Sequence, residues 1–263
     1  MTERLRLRET LAETLRRLPD MARGAGGAIV LSAVLALVVV LAPLDGWGRA
    51  AAVLAFALAW LVALGAMTRI GVAEDLAGAK ALGLGPFGFQ LTKIEARLAG
   101  ATLLCALFLT IMLALLALVA LALFGGAGLD AGAVKARDWA AVGPAWKLGL
   151  LGFVGLVVLG APVVLALRLS LFAPATVGRG QMISLTATSM TNGSMAPLFA
   201  GLVVAGLPGL AWLALVAAGG LRGPAALAVG VLALAVIQAP LTAAWLGAAY
   251  RRLERPSEDL APL

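Results

Sequence analysis

Histidine is missing altogether from this chain, cysteine and tyrosine occur once each, and charged side chains make up only 13% of its 263 residues. Without histidine there is no Ser-His-Asp relay, no His-ligated zinc or haem and no imidazole proton shuttle. A single thiol, Cys105, excludes an intrachain disulfide and any multi-cysteine metal centre. The shortage of charge has the widest consequence. Soluble domains carry about 25% charged and roughly 45–50% apolar residues. Here 62% of residues are hydrophobic and the mean hydropathy is +1.04. Too few charges remain to cover a water-facing globule, so the solvent this sequence requires is lipid.

The net charge of +7 does not point to nucleic acid. Basic residues sit singly or in pairs at the ends of apolar runs, the pattern expected beside anionic headgroups. Six such runs follow one another at 27–44, 50–68, 98–124, 148–171, 197–219 and 224–250. A bilayer crossing takes ~20 residues as helix, so the first two are somewhat short and the third and sixth long, which points to tilt or to ends outside the hydrocarbon. Asp45, Gly46, Trp47, Gly48 and Arg49 alone separate the first two, which therefore pair as a hairpin. With the N-terminus inside, Arg4, Arg6, Arg8, Arg16, Arg17, Arg23, Arg69, Lys80, Lys93, Arg97, Arg168, Arg179, Arg251, Arg252 and Arg255 share one face, which is 15 of the 20 basic residues. Only Arg49, Lys135, Arg137, Lys147 and Arg222 fall opposite, so both termini are expected in the cytoplasm. Trp47, Trp139 and Trp146 then mark the outer boundary and Tyr250 the inner one.

Ahead of the first run, residues 1–26 place Leu7, Leu11, Leu15 and Leu18 at helical spacing among Arg and Glu, with Glu13 positioned to pair with Arg17. Pro19 and the glycines after it are expected to end this helix. It reads as a basic amphipathic helix in the headgroup plane, or as a partner-binding helix. It is too long and too acidic for the leading segment of a cleavable signal peptide. Residues 251–263 form a short tail.

The stretch 163–198 carries the most functional information. An apolar run stops at Arg168 and Ser170, Pro174 turns the chain, and a half-polar segment containing Arg179 leads through Asn192-Gly193 into the next run. Such a segment is expected to lie along the membrane face before the chain re-enters. Small residues at Gly201, Ala205 and Gly209, and at Ala235, Ala239, Ala243 and Gly247, form stripes that let helices approach closely. Pro162, Pro208 and Pro240 interrupt the last three runs.

Chemistry is sparse. No Asp or Glu lies inside any of the six runs, which argues against an ion-coupled pump. There is no phosphate-binding P-loop, no HExxH and no Gly-x-Ser-x-Gly, and the clustered Asp that a CDP-alcohol phospholipid synthase needs is absent. The expectation is a protein that is not an enzyme and takes no cofactor or metal. Five side chains are candidates for headgroup or polar contact: Arg168, Ser170, Arg179, Gln238 and Thr242. Arg168, near the end of its run, can extend to the headgroups. Gln238, the strongly polar residue well inside a run, suits an interhelical hydrogen bond or a ligand contact.

Two resemblances bear on function. AGAKALGLGPFGFQLTKI (77–94) resembles the coupling loop of ABC-transporter permeases, with Ala77 where that loop has Glu and Ile94-Glu95 where it has Leu-Pro. FQLTKIEARLAGATLL (89–104), RLSLFAPATVGRGQMISLTATSMTNGSMAPLF (168–199) and Tyr250-Arg251-Arg252-Leu253 resemble bacterial inner-membrane proteins of the YciC-like and glycerophosphodiester phosphodiesterase membrane-domain families. That second resemblance implies six spans with amphipathic segments on the inner face, without the catalytic domain. The expected architecture is an all-α polytopic bundle in the bacterial inner membrane, with six transmembrane helices (27–250) and amphipathic interfacial helices on the cytoplasmic side. The expected role is structural or regulatory, through membrane lipids or a protein partner. The alternative is a transporter or permease-like subunit for a lipid or other amphiphile.

Overall fold

The computed structural model describes residues 5–128, 130–191 and 193–254. Asn192 and residues 255–263 of the tail lie outside the described residues, as do the first four. The described chain is helical, with no strand. Six helical stretches are long and apolar enough to cross a membrane, and each coincides with one of the six apolar runs.

The helices are α1 (Leu7–Leu41), α2 (Gly46–Val72), α3 (Leu76–Ala81), α4 (Lys93–Gly126), α5 (Ala131–Ala136), α6 (Trp139–Val142), α7 (Ala145–Leu169), α8 (Phe172–Arg179), α9 (Ala187–Met190), α10 (Met195–Ala217), α11 (Gly223–Val231) and α12 (Ala239–Glu254). A 3-10 turn at Pro86–Gly88 precedes α4, and a π-helical stretch, Leu232–Gln238, joins α11 to α12. Pro240 has no N–H to return to the carbonyl four residues earlier, and the wider π register just before it re-pairs the backbone locally.

α1 corrects the first expectation. It is one 35-residue helix that runs through Pro19 and the glycines instead of stopping there. At 1.5 Å per residue it is about 52 Å long, well beyond the ~30 Å of a hydrocarbon core. The glycines serve close packing. A Cβ on Gly24 would meet Ile70 at 2.8 Å, and one on Gly27 would meet Phe87 at 2.8 Å. They let α2 and the Pro86–Gly88 turn press against α1. Gly88, at φ +84, needs glycine twice, because a Cβ there would also stand 2.8 Å from the Ala25 Cα.

α1, α2 and α12 form the core of the bundle, around Met21, Ile29, Ala63, Ala66, Met67, Ile70 and Ala244. Where α2 crosses α12, a Cβ on Gly247 would collide with the Gly71 backbone, so the two backbones touch. A second cluster gathers Leu171, Ile183, Leu198, Trp245 and Tyr250 where α8, α10 and α12 meet. Gly201 is the seat of the Trp245 ring, which leaves no room for a Cβ there. The small-residue stripes on α10 and α12 thus face helices, as their spacing suggests.

Three further expectations are corrected. The chain turns at Ser170 and Leu171, and Pro174 lies in the first turn of α8, where its missing N–H costs nothing. Five consecutive α8 residues, Ala173 to Val177, are buried against α2, α4 and α12, so the start of this segment is an internal brace, whereas Arg179, Gln181, Met182, Leu185, Thr186 and Ser189 farther along are exposed. Tyr250 is also buried, with Gly178 beneath its ring. Trp47 and Trp146 are exposed, at the starts of α2 and α7, while the Trp139 side chain lies outside the described residues.

Candidate functional site

The beginning of α1, the end of α2, the beginning of α4 and the end of α12 meet at one end of the bundle, here the termini end. Among the described residues every ion pair lies there. Its centre is Arg69, fully buried in the last turn of α2. Arg69 pairs with Glu95, donates from Nε to the Leu82 carbonyl at 3.0 Å, and reaches Thr92 Oγ1 at 3.1 Å. Glu95 closes a capping box at the start of α4, where its Oε2 accepts from the Thr92 N–H at 2.8 Å and the Thr92 hydroxyl at 2.7 Å. Gln90 donates to the Val62 carbonyl at 3.1 Å. Gly65 leaves room for the Glu95 carboxylate, which a Cβ would approach to 2.7 Å. Each buried polar atom of the pair is answered by another, the condition under which a buried ion pair is tolerated.

A second knot ties the two ends of the chain together. Arg251 donates to the carbonyls of Gly71 and Ala73 and to Glu13, the last at 2.5 Å. Arg252 reaches Glu9 at 2.9 Å and Glu13 at 3.4 Å. Glu13 was expected to pair with Arg17. Instead Arg17 faces Asp20 at 3.7 Å, and Glu13 serves the last helix. Spacing along one helix could not reveal a partner 238 residues away.

The five candidate polar residues divide. Arg168 is half-buried in a groove between α4 and α7, beside Phe108, Met112 and Pro162. Ser170 donates its hydroxyl to the Leu167 carbonyl at 2.7 Å, within its own helix end. Arg179 pairs with Glu254 at 3.0 Å. Gln238 and Thr242, one helical turn apart, line a common cavity of about 540 Å³. The structure therefore brings the last two together and leaves the other three elsewhere.

That cavity lies between α1 (Val39, Val40), α2 (Trp60, Met67, Thr68), α8 (Pro174) and the π–α12 segment. No ionisable side chain lines it. Gln238 accepts a hydrogen bond from the Gly209 N–H of α10 at 3.0 Å, an interhelical bond. Gln238 and Leu234 also border a second cavity of about 590 Å³ between α7 and α10, so they are the shared wall of the two spaces. Among the prolines, Pro174 reaches the first cavity, whereas Pro162 lines the α4–α7 groove. Among the described residues no three His, Cys, Asp or Glu gather as metal ligands.

The Arg69–Glu95 knot was not anticipated, although Thr92-Lys93-Ile94-Glu95 carries the signature of a capping box. Thr68 and Pro174 as cavity walls had no signal in the sequence. No protein-family model, curated protein or solved structure matches the chain.

Proposed function

We propose that this chain is a non-enzymatic multi-pass protein of the bacterial inner membrane, similar to the YciC-like proteins, with both termini cytoplasmic. Its role is structural or regulatory, exercised by a cytoplasmic face that contacts lipid headgroups or a protein partner. One observation carries the reading. The segment between α2 and α4 exposes Phe87, Phe89 and Leu91, at 71%, 46% and 80% of their surface, beside the exposed basic residues Lys80 and Lys93. Apolar rings among lysines suit the boundary between acyl chains and anionic headgroups. Behind this surface, Arg69 donates to the Leu82 carbonyl and Gln90 to the Val62 carbonyl, which ties the segment to α2.

The test is native mass spectrometry of the full chain in gentle detergent, which reports bound lipid, companion proteins and subunit number together. Replacing Lys80, Lys93 and Arg97 with Gln should strip co-purifying anionic lipid. An unchanged lipid complement and no companion protein would overturn the role of this face. Tags fused to either end should be reached only from the cytoplasm, and periplasmic access would overturn the orientation.

A second reading, a transporter or permease-like subunit for a lipid or other amphiphile, is favoured by the cavity that Gln238 and Thr242 line. Loss of binding to an ATPase on replacing residues 77–94 with a neutral linker would support the permease version, and retained binding would remove it.

A further inference from the structure

The cavity bordered by Gln238 and Thr242 has chemistry and shape of its own. Its walls run along α11, the π segment and α12 from Val231 to Leu246, sixteen residues or about 22 Å of helix. One membrane leaflet contributes roughly 15 Å of hydrocarbon depth, so the slot is long enough for a chain lying along the membrane normal. The volume of about 540 Å³ falls within the range of small-molecule sites and holds one long hydrocarbon chain. Val39, Val40, Phe56, Trp60, Met67 and Leu246 give it apolar sides.

Three polar side chains interrupt those sides. Thr68 donates its hydroxyl to the Leu64 carbonyl at 2.6 Å and keeps only acceptor capacity. The Gln238 carbonyl oxygen is taken by Gly209, which leaves the amide NH2 as donor. The Thr242 hydroxyl has no partner among the described residues, yet it is not a sealed buried atom. Two open donors one turn apart, with no cation near, suit an oxygen acceptor that bears no charge. A carboxylate or phosphate in the same place would be desolvated without a counter-ion.

From this we infer that the cavity binds a single acyl chain whose uncharged ester or hydroxyl neck is held by Thr242 and the Gln238 amide. The inference goes beyond the role proposed above and uses only its placement of the chain in a membrane. The ester has two sources, a chain of a bilayer phospholipid or a free monoacylglycerol.

The test is photolabelling of the full chain in nanodiscs with four probes that carry the same diazirine-bearing chain. These are a phosphatidylglycerol, a monoacylglycerol, a free fatty acid and an alkane. Labels from at least one ester probe are expected on the wall peptides containing Met67 and Leu246, and which ester labels identifies the source. The fatty acid should label the walls about tenfold less. Thr242→Val keeps the side-chain shape and should lower ester labelling about fivefold while leaving the alkane unchanged, and Thr242→Ser should restore it. Ala36 lies on the α1 wall of the cavity, so Ala36→Phe fills the slot and should block all four probes.

Ester labels confined to the outward faces of α4 and α7 would overturn the inference. So would equal labelling by the fatty acid, or ester labelling unmoved by Thr242→Val. None of these results alters the tag-accessibility outcome or the lipid lost on replacing Lys80, Lys93 and Arg97, which do not line the cavity, so failure here is separable from failure of the proposed role.

Discussion

The most apolar windows of α1 and α2 have mean hydropathies of 2.5 and 2.3, and those of the α4 and α7 spans 2.9 and 2.6. Their surroundings differ far more. Buried residues make up 28% and 33% of the first pair of windows but 6% of the second. Hydropathy reports the solvent a helix tolerates, and lipid and protein interior are equally apolar, so the scale is blind to which of them is present. Glycine placement separates α7 from the first pair. A Cβ at Gly24, Gly27, Gly65 or Gly71 would strike a neighbouring element, whereas Gly149, Gly152, Gly155 and Gly160 of α7 have open space around them. In the first pair glycine permits contact between helices. In α7 it is compatible with contact but none is made.

The largest break in this contrast is expected from Glu95→Ala, which strands Arg69 without its counter-ion inside the braced end. The loss should be about 3–5 kcal/mol, read as unfolding in detergent titrated with SDS. Replacing both residues together with Met and Leu should recover most of it, because an apolar pair removes the uncompensated charge. Recovery no better than the single variant would show that the remaining bonds, to Leu82 and Thr92, matter more than the pair.

Gly247→Leu comes next. Forcing a side chain into the Gly71 backbone should cost about 1–3 kcal/mol or separate α2 from α12, while Gly155→Leu on α7 should move stability by less than ~0.5 kcal/mol. Equal effects at the two glycines would erase the distinction between the pairs. Glu13→Gln should have a smaller effect, about 1 kcal/mol, since Arg251 keeps the Gly71 and Ala73 carbonyls. Protease access to the ends of α1 and α12 reports it. Smallest of all is Gln238→Leu, about 0.6 kcal/mol, the average worth of an interhelical hydrogen bond in a bilayer. A loss several times larger would mean that this bond is what holds α10 against the π–α12 segment.

Much of this architecture was legible in residue order. The six apolar runs match the six long helices, and the stripes through Gly201 and Gly247 mark real crossings. Legibility ended wherever partners are distant in sequence. Pro19 reads locally as a helix stop, yet α1 passes through it because packing against α2 and α12 outweighs a cost of about 3 kcal/mol for one proline. Tyr250 reads as a belt residue, but a glycine on α8 makes a pocket for its ring. Of the candidate polar residues, Gln238 and Thr242 share a cavity because they stand one turn apart. Arg168 and Arg179 were grouped only by lying on the same stretch of chain.

Composition and periodicity by themselves determined that this polypeptide is helical and how many of its helices can cross a membrane, because transfer from water to hydrocarbon acts on each segment independently. Which helices touch, where a buried arginine finds its carboxylate, and that an apolar slot runs beside Gln238 were decided only by tertiary structure. Those outcomes depend on the meeting of surfaces, and no single segment carries that information.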